Sequence, residues 1–296
     1  LFEEGSHILC TEDLYGGTVR MFESIGEKRG VTFSYIDTSD IELVRKSIRK
    51  ETKALYIETP SNPTMKVTDF AAMREIADEY GLLIIADNTF LTPYFQKPLT
   101  LGADLVVHSG TKFLGGHNDV LAGFVCIKGK GLSEKLRYTY KTVGCCLPPF
   151  DSFLVLRGIK TLSVRLERQQ ENAKKIALWL KDRPEVKAVY YTGLPEHPGY
   201  EINQKQASGC GSMISFKVDS EKRARKLLES VKLISYAESL GGVESLITYP
   251  MLQTHGDVPV ETRERLGITE DFLRMSVGIE NAEDLIADLK QALAEE

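Results

Sequence analysis

Along the first 128 positions, short apolar runs alternate with longer stretches of helical spacing. Runs at 7–10, 31–36, 54–58, 82–87 and 123–128, and the run leading from 104 to Lys112, have the length and character of buried strands. Between them the pattern predicts helices near 18–28, 39–50 and 68–80, with Ser39 and Asp40 as candidate caps for the second. Strands alternating with helices predict a parallel sheet with right-handed crossovers. From 150 to about 182 the alternation stops, and the apolar positions Leu154, Leu156, Ile159, Leu162, Val164 and Leu166 predict one or two long helices. Beyond Pro184 the pattern is α+β, with strands near 186–191, 213–218 and 272–277 and helices near 220–231 and 281–294. The fold class is therefore α/β, a mainly parallel-sheet domain over 1–150 followed by linking helices and a smaller α+β domain over 151–296. Leu1-Phe2-Glu3-Glu4-Gly5 reads as a helix tail with a glycine terminator, so the chain is expected to begin in the middle of a domain.

Composition narrows the class without naming a function. A content of 42% hydrophobic and 27% charged residues is that of a globular domain, and the net charge of −5 with no basic cluster argues against a nucleic-acid partner. No apolar run is long enough to span a membrane and the amino terminus has no signal-peptide pattern, so no membrane partner is expected. Five scattered cysteines (Cys10, Cys126, Cys145, Cys146 and Cys210) suit a reducing cytoplasm better than a disulfide framework. Neither the Cys145-Cys146 pair nor the five histidines has metal-ligand spacing, so no metal is expected.

Chemistry concentrates where two predicted strands end. Asp87 closes Leu82-Leu83-Ile84-Ile85-Ala86-Asp87, and Lys112 follows Leu105-Val106-Val107-His108-Ser109-Gly110-Thr111. Ligands of open α/β sheets sit outside the carboxyl ends of the strands. Taken singly, these are a capping aspartate and a surface lysine. Together they suit pyridoxal 5′-phosphate (PLP), which needs an amine to condense with its aldehyde and a carboxylate to keep its ring nitrogen protonated. Ser109 and Thr111 are loop hydroxyls or donors to the cofactor phosphate. Tyr15, before Gly16-Gly17, is a turn aromatic or a ring that stacks on the cofactor. Asn62, stiffened between Pro60 and Pro63, forms an Asx turn or donates to the cofactor or to a substrate carboxylate. A dinucleotide G-x-G-x-x-G and a Walker A loop are both absent.

Tyr15-Gly16-Gly17, Glu58-Thr59-Pro60-Ser61-Asn62-Pro63, Asp87-Asn88-Thr89, Ser109-Gly110-Thr111-Lys112, Ser239-Leu240-Gly241-Gly242-Val243-Glu244-Ser245 and Arg274-Met275-Ser276-Val277-Gly278 occur in that order. In this combination the whole chain resembles the transsulfuration (Cys/Met metabolism) family of PLP-dependent enzymes. The resemblance implies the aspartate-aminotransferase-like fold (fold type I) in homotetramers built from active dimers. It implies Lys112 as the cofactor-linked lysine, Asp87 on the pyridine nitrogen, and Ser109 and Thr111 on the phosphate. Tyr15 is implied as the stacking ring and a proton acceptor, and Asn62, Ser239 and Arg274 as the group that positions the substrate. A planar guanidinium suits an α-carboxylate, which it can clamp through two parallel bonds. The resemblance also implies a long N-terminal segment ahead of Leu1, with a phosphate loop and a Tyr/Arg pair for the neighbouring subunit's site, which this sequence lacks.

The family divides among several reactions on a small sulfur amino acid. Glu238 matches the glutamate that γ-lyases and γ-synthases carry, where a carboxylate can meet the distal amino group of cystathionine; otherwise it is a solvated loop residue. The expected activity is α,γ-elimination of L-cystathionine by a carbon–sulfur lyase. The alternatives are γ-replacement on an acyl-homoserine, β-elimination of cystathionine and, disfavoured by Gly17 and Glu238, γ-elimination of methionine.

Overall fold

The computed structural model describes residues 1–253, 256, 258 and 260–294. A six-stranded sheet is built from β1 (His7–Thr11), β2 (Thr32–Ile36), β3 (Thr52–Glu58), β4 (Leu83–Asp87), β5 (Leu105–Ser109) and β6 (Gly123–Ile127), in the order β2-β1-β3-β4-β5-β6. The first five strands are parallel, as the alternation predicts, but β6 runs antiparallel to β5. The connection from β5 to β6 is a short excursion through Lys112 rather than a crossover helix, so the chain must return in the opposite sense. In-register pairing brings Glu58 beside Asp87 at the carboxyl ends of β3 and β4.

The predicted helix near 18–28 is α1 (Gly16–Met21), running into a π turn over Phe22–Gly26 and a 3-10 turn over Glu27–Arg29. Helix α2 (Ile41–Ser47) is capped by Asp40, whose side chain accepts the Leu43 amide at 3.0 Å. In α3 (Phe70–Tyr80), Phe70, Met73, Ile76 and Ala77 are buried at helical spacing. They pack with Leu55, Ile57, Ile84 and Val106 of the sheet in one apolar cluster. Leu1–Glu3 has no helical turn, although Gly5 does take a positive φ of 83°.

The one-turn helix α4 (Thr92–Phe95) follows β4, and after β6 comes α5 (Lys130–Val143), which the sequence pattern did not reveal. It buries no residue fully, and only Leu132 and Leu136 pack against the neighbouring cluster, too thin an apolar stripe to read. The stretch from 150 resolves into two helices, α6 (Pro149–Ile159) and α7 (Leu162–Lys181).

A second sheet has the order β7-β8-β11-β10-β9, with β7 (Val186–Tyr190), β8 (Met213–Val218), β9 (Ser235–Tyr236), β10 (Leu246–Thr248) and β11 (Phe272–Ser276). Strands β9 and β10, of two and three residues, are too short to produce a period-2 signal. Short helices α8 (Tyr200–Gln206) and α10 (Val260–Arg265) lie between strands, and one core joins α7, α9 (Glu221–Ser230), α11 (Ala282–Ala294) and this sheet through Ile176, Leu180, Phe216, Leu227, Leu273 and Leu289. Among the described residues no helix is long and apolar enough to cross a membrane, and no His/Cys/Asp/Glu group is placed to hold a metal ion. The mixed α/β architecture with its largely parallel sheet is the fold type I arrangement.

Candidate active site

The carboxyl ends of β1, β3, β4 and β5 and the second-sheet strand β11 surround one group of polar side chains. After β5 the chain turns sharply over Gly110–Leu114, with Lys112 at φ −92° and ψ −127°, outside helical geometry. A Cβ on Gly110 would lie 2.4 Å from the Phe124 ring, so β6 leaves room only for glycine where the turn starts. The Lys112 Nζ donates to Ser239 Oγ at 2.8 Å. Ser239 has φ +83°, a conformation costly for a residue with a side chain. Two glycines follow it. Gly241, at φ +82°, passes so close to the lysine turn that a Cβ would be 2.7 Å from the Phe113 nitrogen. The Gly241 amide donates to Ser276 Oγ at 2.8 Å and the Gly242 carbonyl accepts from Gln169 Nε2 at 2.7 Å, which fixes the loop from two sides.

Arg274, in the middle of β11, is only 2% exposed. Its Nη1 donates to Asn62 Oδ1 at 2.7 Å and its Nη2 to the Ser239 carbonyl at 2.9 Å. Its Nε is buried without a hydrogen-bond partner among the described residues. A guanidinium offers five N–H donors in a fixed fork, so capacity remains for an anion brought to it. Lys112, Ser239, Arg274 and Asn62 thus form one hydrogen-bonded set. Burial first and the Arg274 charge second push the Lys112 amine down to about 8, opposed by Glu238. Burial brings Arg274 to about 10, still cationic at neutral pH.

Asp87 accepts from the Thr89 amide at 3.0 Å and from Thr89 Oγ1 at 2.6 Å, and Thr89 Oγ1 in turn accepts the Ser109 amide at 2.9 Å. Burial raises its carboxyl above the ordinary range, with Thr89 opposing, and no cation among the described residues contributes. A carboxylate held at a strand end by two donors, with no counterion, fits a cationic pyridine nitrogen. The lysine, the aspartate and the part-filled arginine fork therefore suit PLP and an amino-acid substrate.

The remaining predicted residues are placed less centrally. Tyr15 is 54% exposed, and its amide donates to Glu58 Oε2 at 2.9 Å. Thr111 Oγ1 accepts the Ala122 amide at 3.0 Å and donates to the Ala122 carbonyl at 3.3 Å, so its hydroxyl is already engaged across the turn. Ser109 is half-buried beside Thr89. Glu238 is exposed, yet its charge acts on both Lys112 and Arg274. Sequence reasoning missed Glu58, Thr89 and Asp13 as members of the site, although the quoted motifs contain the first two and Asp13 stands two residues before Tyr15. Glu58 is buried, and desolvation together with the Asp87 charge hold its carboxyl well above the usual range.

An amine with a pKa of about 8 is roughly one-tenth neutral at pH 7, against well under a thousandth for an ordinary lysine. Only the neutral amine attacks an aldehyde. The rate at which the apoprotein takes up PLP, followed by absorbance, should therefore rise with pH and level off above a midpoint near 8. A rate still climbing above pH 10 would mean an unperturbed lysine.

Comparison with known proteins agrees with this geometry. Residues 1–294 match the family described as Cys/Met metabolism PLP-dependent enzyme. Over 293 residues the chain is 50% identical to a cystathionine γ-lyase of Bacillus subtilis (strain 168), covering 99% of this chain and 77% of that protein. A cystathionine β-lyase of Lactococcus lactis subsp. cremoris (strain MG1363) is 46% identical over the same shares, 99% and 77%. The crystal structure of cystathionine γ-lyase from Lactobacillus plantarum complexed with L-serine superposes with a TM-score of 0.97 at 43% identity, covering 99% of this chain and 77% of that one. The chain belongs to the Cys/Met metabolism family of PLP-dependent enzymes. Within that class it is an enzyme of sulfur amino-acid transsulfuration, and its similar relatives include both γ- and β-lyases of cystathionine.

Proposed function

We propose that the chain catalyses α,γ-elimination of L-cystathionine, with γ-replacement on an acyl-homoserine as the reading that shares the same residues. PLP, when bound, supplies an electron sink for the negative charge that develops on the substrate carbons. In this reading Asp87 holds the ring nitrogen protonated, Ser109 faces the phosphate, Thr111 joins it by turning its hydroxyl from the Ala122 carbonyl, and Tyr15 covers the ring. Arg274, oriented by Asn62 and the Ser239 carbonyl, takes the substrate α-carboxylate. Lys112 takes the proton from the substrate Cα and serves the later proton shift at Cβ, a role that its lowered pKa supports. The Ser239 hydroxyl, 2.8 Å from Nζ, keeps the amine aimed at the site.

The observation that carries the choice of substrate is Glu238, an exposed carboxylate close enough for its charge to reach both Lys112 and Arg274. That position suits the distal ammonium of cystathionine. Glu238→Val is expected to lower kcat/KM for cystathionine by about 1–3 kcal/mol relative to homocysteine, which has no distal amine. PLP binding should be unchanged. A uniform loss on both substrates removes the reason to prefer γ- over β-elimination. Product analysis decides the reaction directly: 2-oxobutanoate from cystathionine supports γ-elimination, and pyruvate supports β-elimination.

We further propose that the chain works as a homotetramer in the cytoplasm. Val125, Tyr138, Val143, Phe150, Phe153 and Leu156 are large apolar side chains left exposed on β6, α5 and α6, and exposed apolar surface of this kind marks subunit contacts. The five free cysteines suit a reducing compartment. Sedimentation at micromolar concentration tests the assembly, and a monomer would contradict it.

A further inference from the structure

Two loops that flank the site are tied together by one buried carboxylate. Asp13, 1% exposed, stands in the loop after β1, two residues before Tyr15. Its Oδ2 accepts from Ser61 Oγ at 2.8 Å, from the Thr64 amide at 3.0 Å and from the Thr64 hydroxyl. Ser61 and Thr64 bracket Asn62 and Pro63, so these bonds grip the Asn62 loop on both sides. The neighbouring Glu12 adds a second tie to the same segment, accepting from Lys66 Nζ at 3.0 Å. From the opposite side, Ser215 of β8 donates to the Pro63 carbonyl at 2.6 Å, and Ser215 is the cross-strand partner of Arg274. The Asn62 loop is thus clamped between the end of β1 and the strand pair that carries the arginine. Within that clamp Asn62 Oδ1 accepts from Arg274 Nη1.

We propose that Asp13 is a positioning residue for substrate recognition, fixing the Asn62 loop and, through Asn62, the orientation of the Arg274 guanidinium. A carboxylate is suited to this task because it is acceptor-only, and every group it meets in the 61–64 segment is a donor. The Thr64 amide cannot reverse its role as a hydroxyl can. Loss of the carboxylate would free the loop, let Asn62 leave the fork, and blunt discrimination in favour of ligands with an α-carboxylate. The proposal rests on the reading of Arg274 as the carboxylate clamp.

The test uses the PLP-loaded protein and two small amines that differ only by that group, L-alanine and ethylamine, with dissociation constants read from the absorbance change of the bound cofactor. The wild type should prefer alanine, and Arg274→Ala should erase the preference. Asp13→Ala is expected to reduce the preference at least fivefold while ethylamine binds within twofold of wild type, and Asp13→Asn, which keeps one acceptor oxygen, should recover part of it. If Asp13→Ala does not fold, the paired change Ser61→Ala and Thr64→Val removes the two hydroxyl donors while leaving the carboxylate, and should lower the preference in the same direction. Equal weakening of both amines, or an unchanged preference, overturns the role of Asp13. A preference that survives Arg274→Ala instead overturns the clamp reading and the proposal with it.

Discussion

Lys112→Ala is expected to lower kcat by about 10³-fold or more, even with PLP at saturating concentration. A positioned proton-transfer group contributes about 10²–10⁴-fold, and this amine is also the one proposed to anchor the cofactor. The backbone around it is set by neighbours that the substitution leaves alone. Gly115 donates to the Gly110 carbonyl at 2.9 Å, Gly116 donates to the Lys112 carbonyl at 2.7 Å, and Arg165 Nη1 donates to the Phe113 carbonyl at 2.8 Å. The variant should therefore remain folded by circular dichroism, which separates loss of chemistry from loss of structure. Turnover within tenfold of wild type would remove Lys112 from the mechanism.

The second large effect falls on binding. Arg274→Ala should raise KM for every amino-acid substrate, lowering kcat/KM by about 3 kcal/mol, the order of two hydrogen bonds to a charged group, which is roughly 10²-fold. Part of that loss is structural, because Asn62 Oδ1 and the Ser239 carbonyl both lose the donor that now holds them. Arg274→Lys should restore only part of the binding, since an ammonium retains the charge without the planar fork. Unchanged KM values in Arg274→Ala would refute the clamp.

How much of this was legible in the sequence differs from one element to the next. Five parallel strands could be read because each is a short apolar run closed by a polar residue, and Asp87 and Lys112 were singled out because sheet physics places ligands at such ends. The reversal of β6 could not be read, since direction depends on what the 110–122 connection does in space and not on the strand's own residues. Helix α5 was hidden because Tyr138, Tyr140 and Val143 face outward and only Leu132 and Leu136 pack inward. Arg274 and Glu238 were singled out through the family resemblance alone, as no local pattern marks a mid-strand arginine. Asp13 and Glu58 escaped notice because a buried carboxylate in a loop or at a strand end has the same sequence signature as a cap. Their identity as site residues comes only from the donors that reach them across more than forty positions.

Everything proposed for the site depends on Lys112 being the amine that holds PLP. Borohydride treatment of the PLP-loaded protein, followed by proteolysis and mass spectrometry, tests it most directly. A pyridoxyl group is expected on the peptide containing Ser109-Gly110-Thr111-Lys112, attached at Lys112, and none on Lys112→Ala treated in the same way. A label on any other lysine, or a protein that binds PLP without becoming labelled, would contradict it.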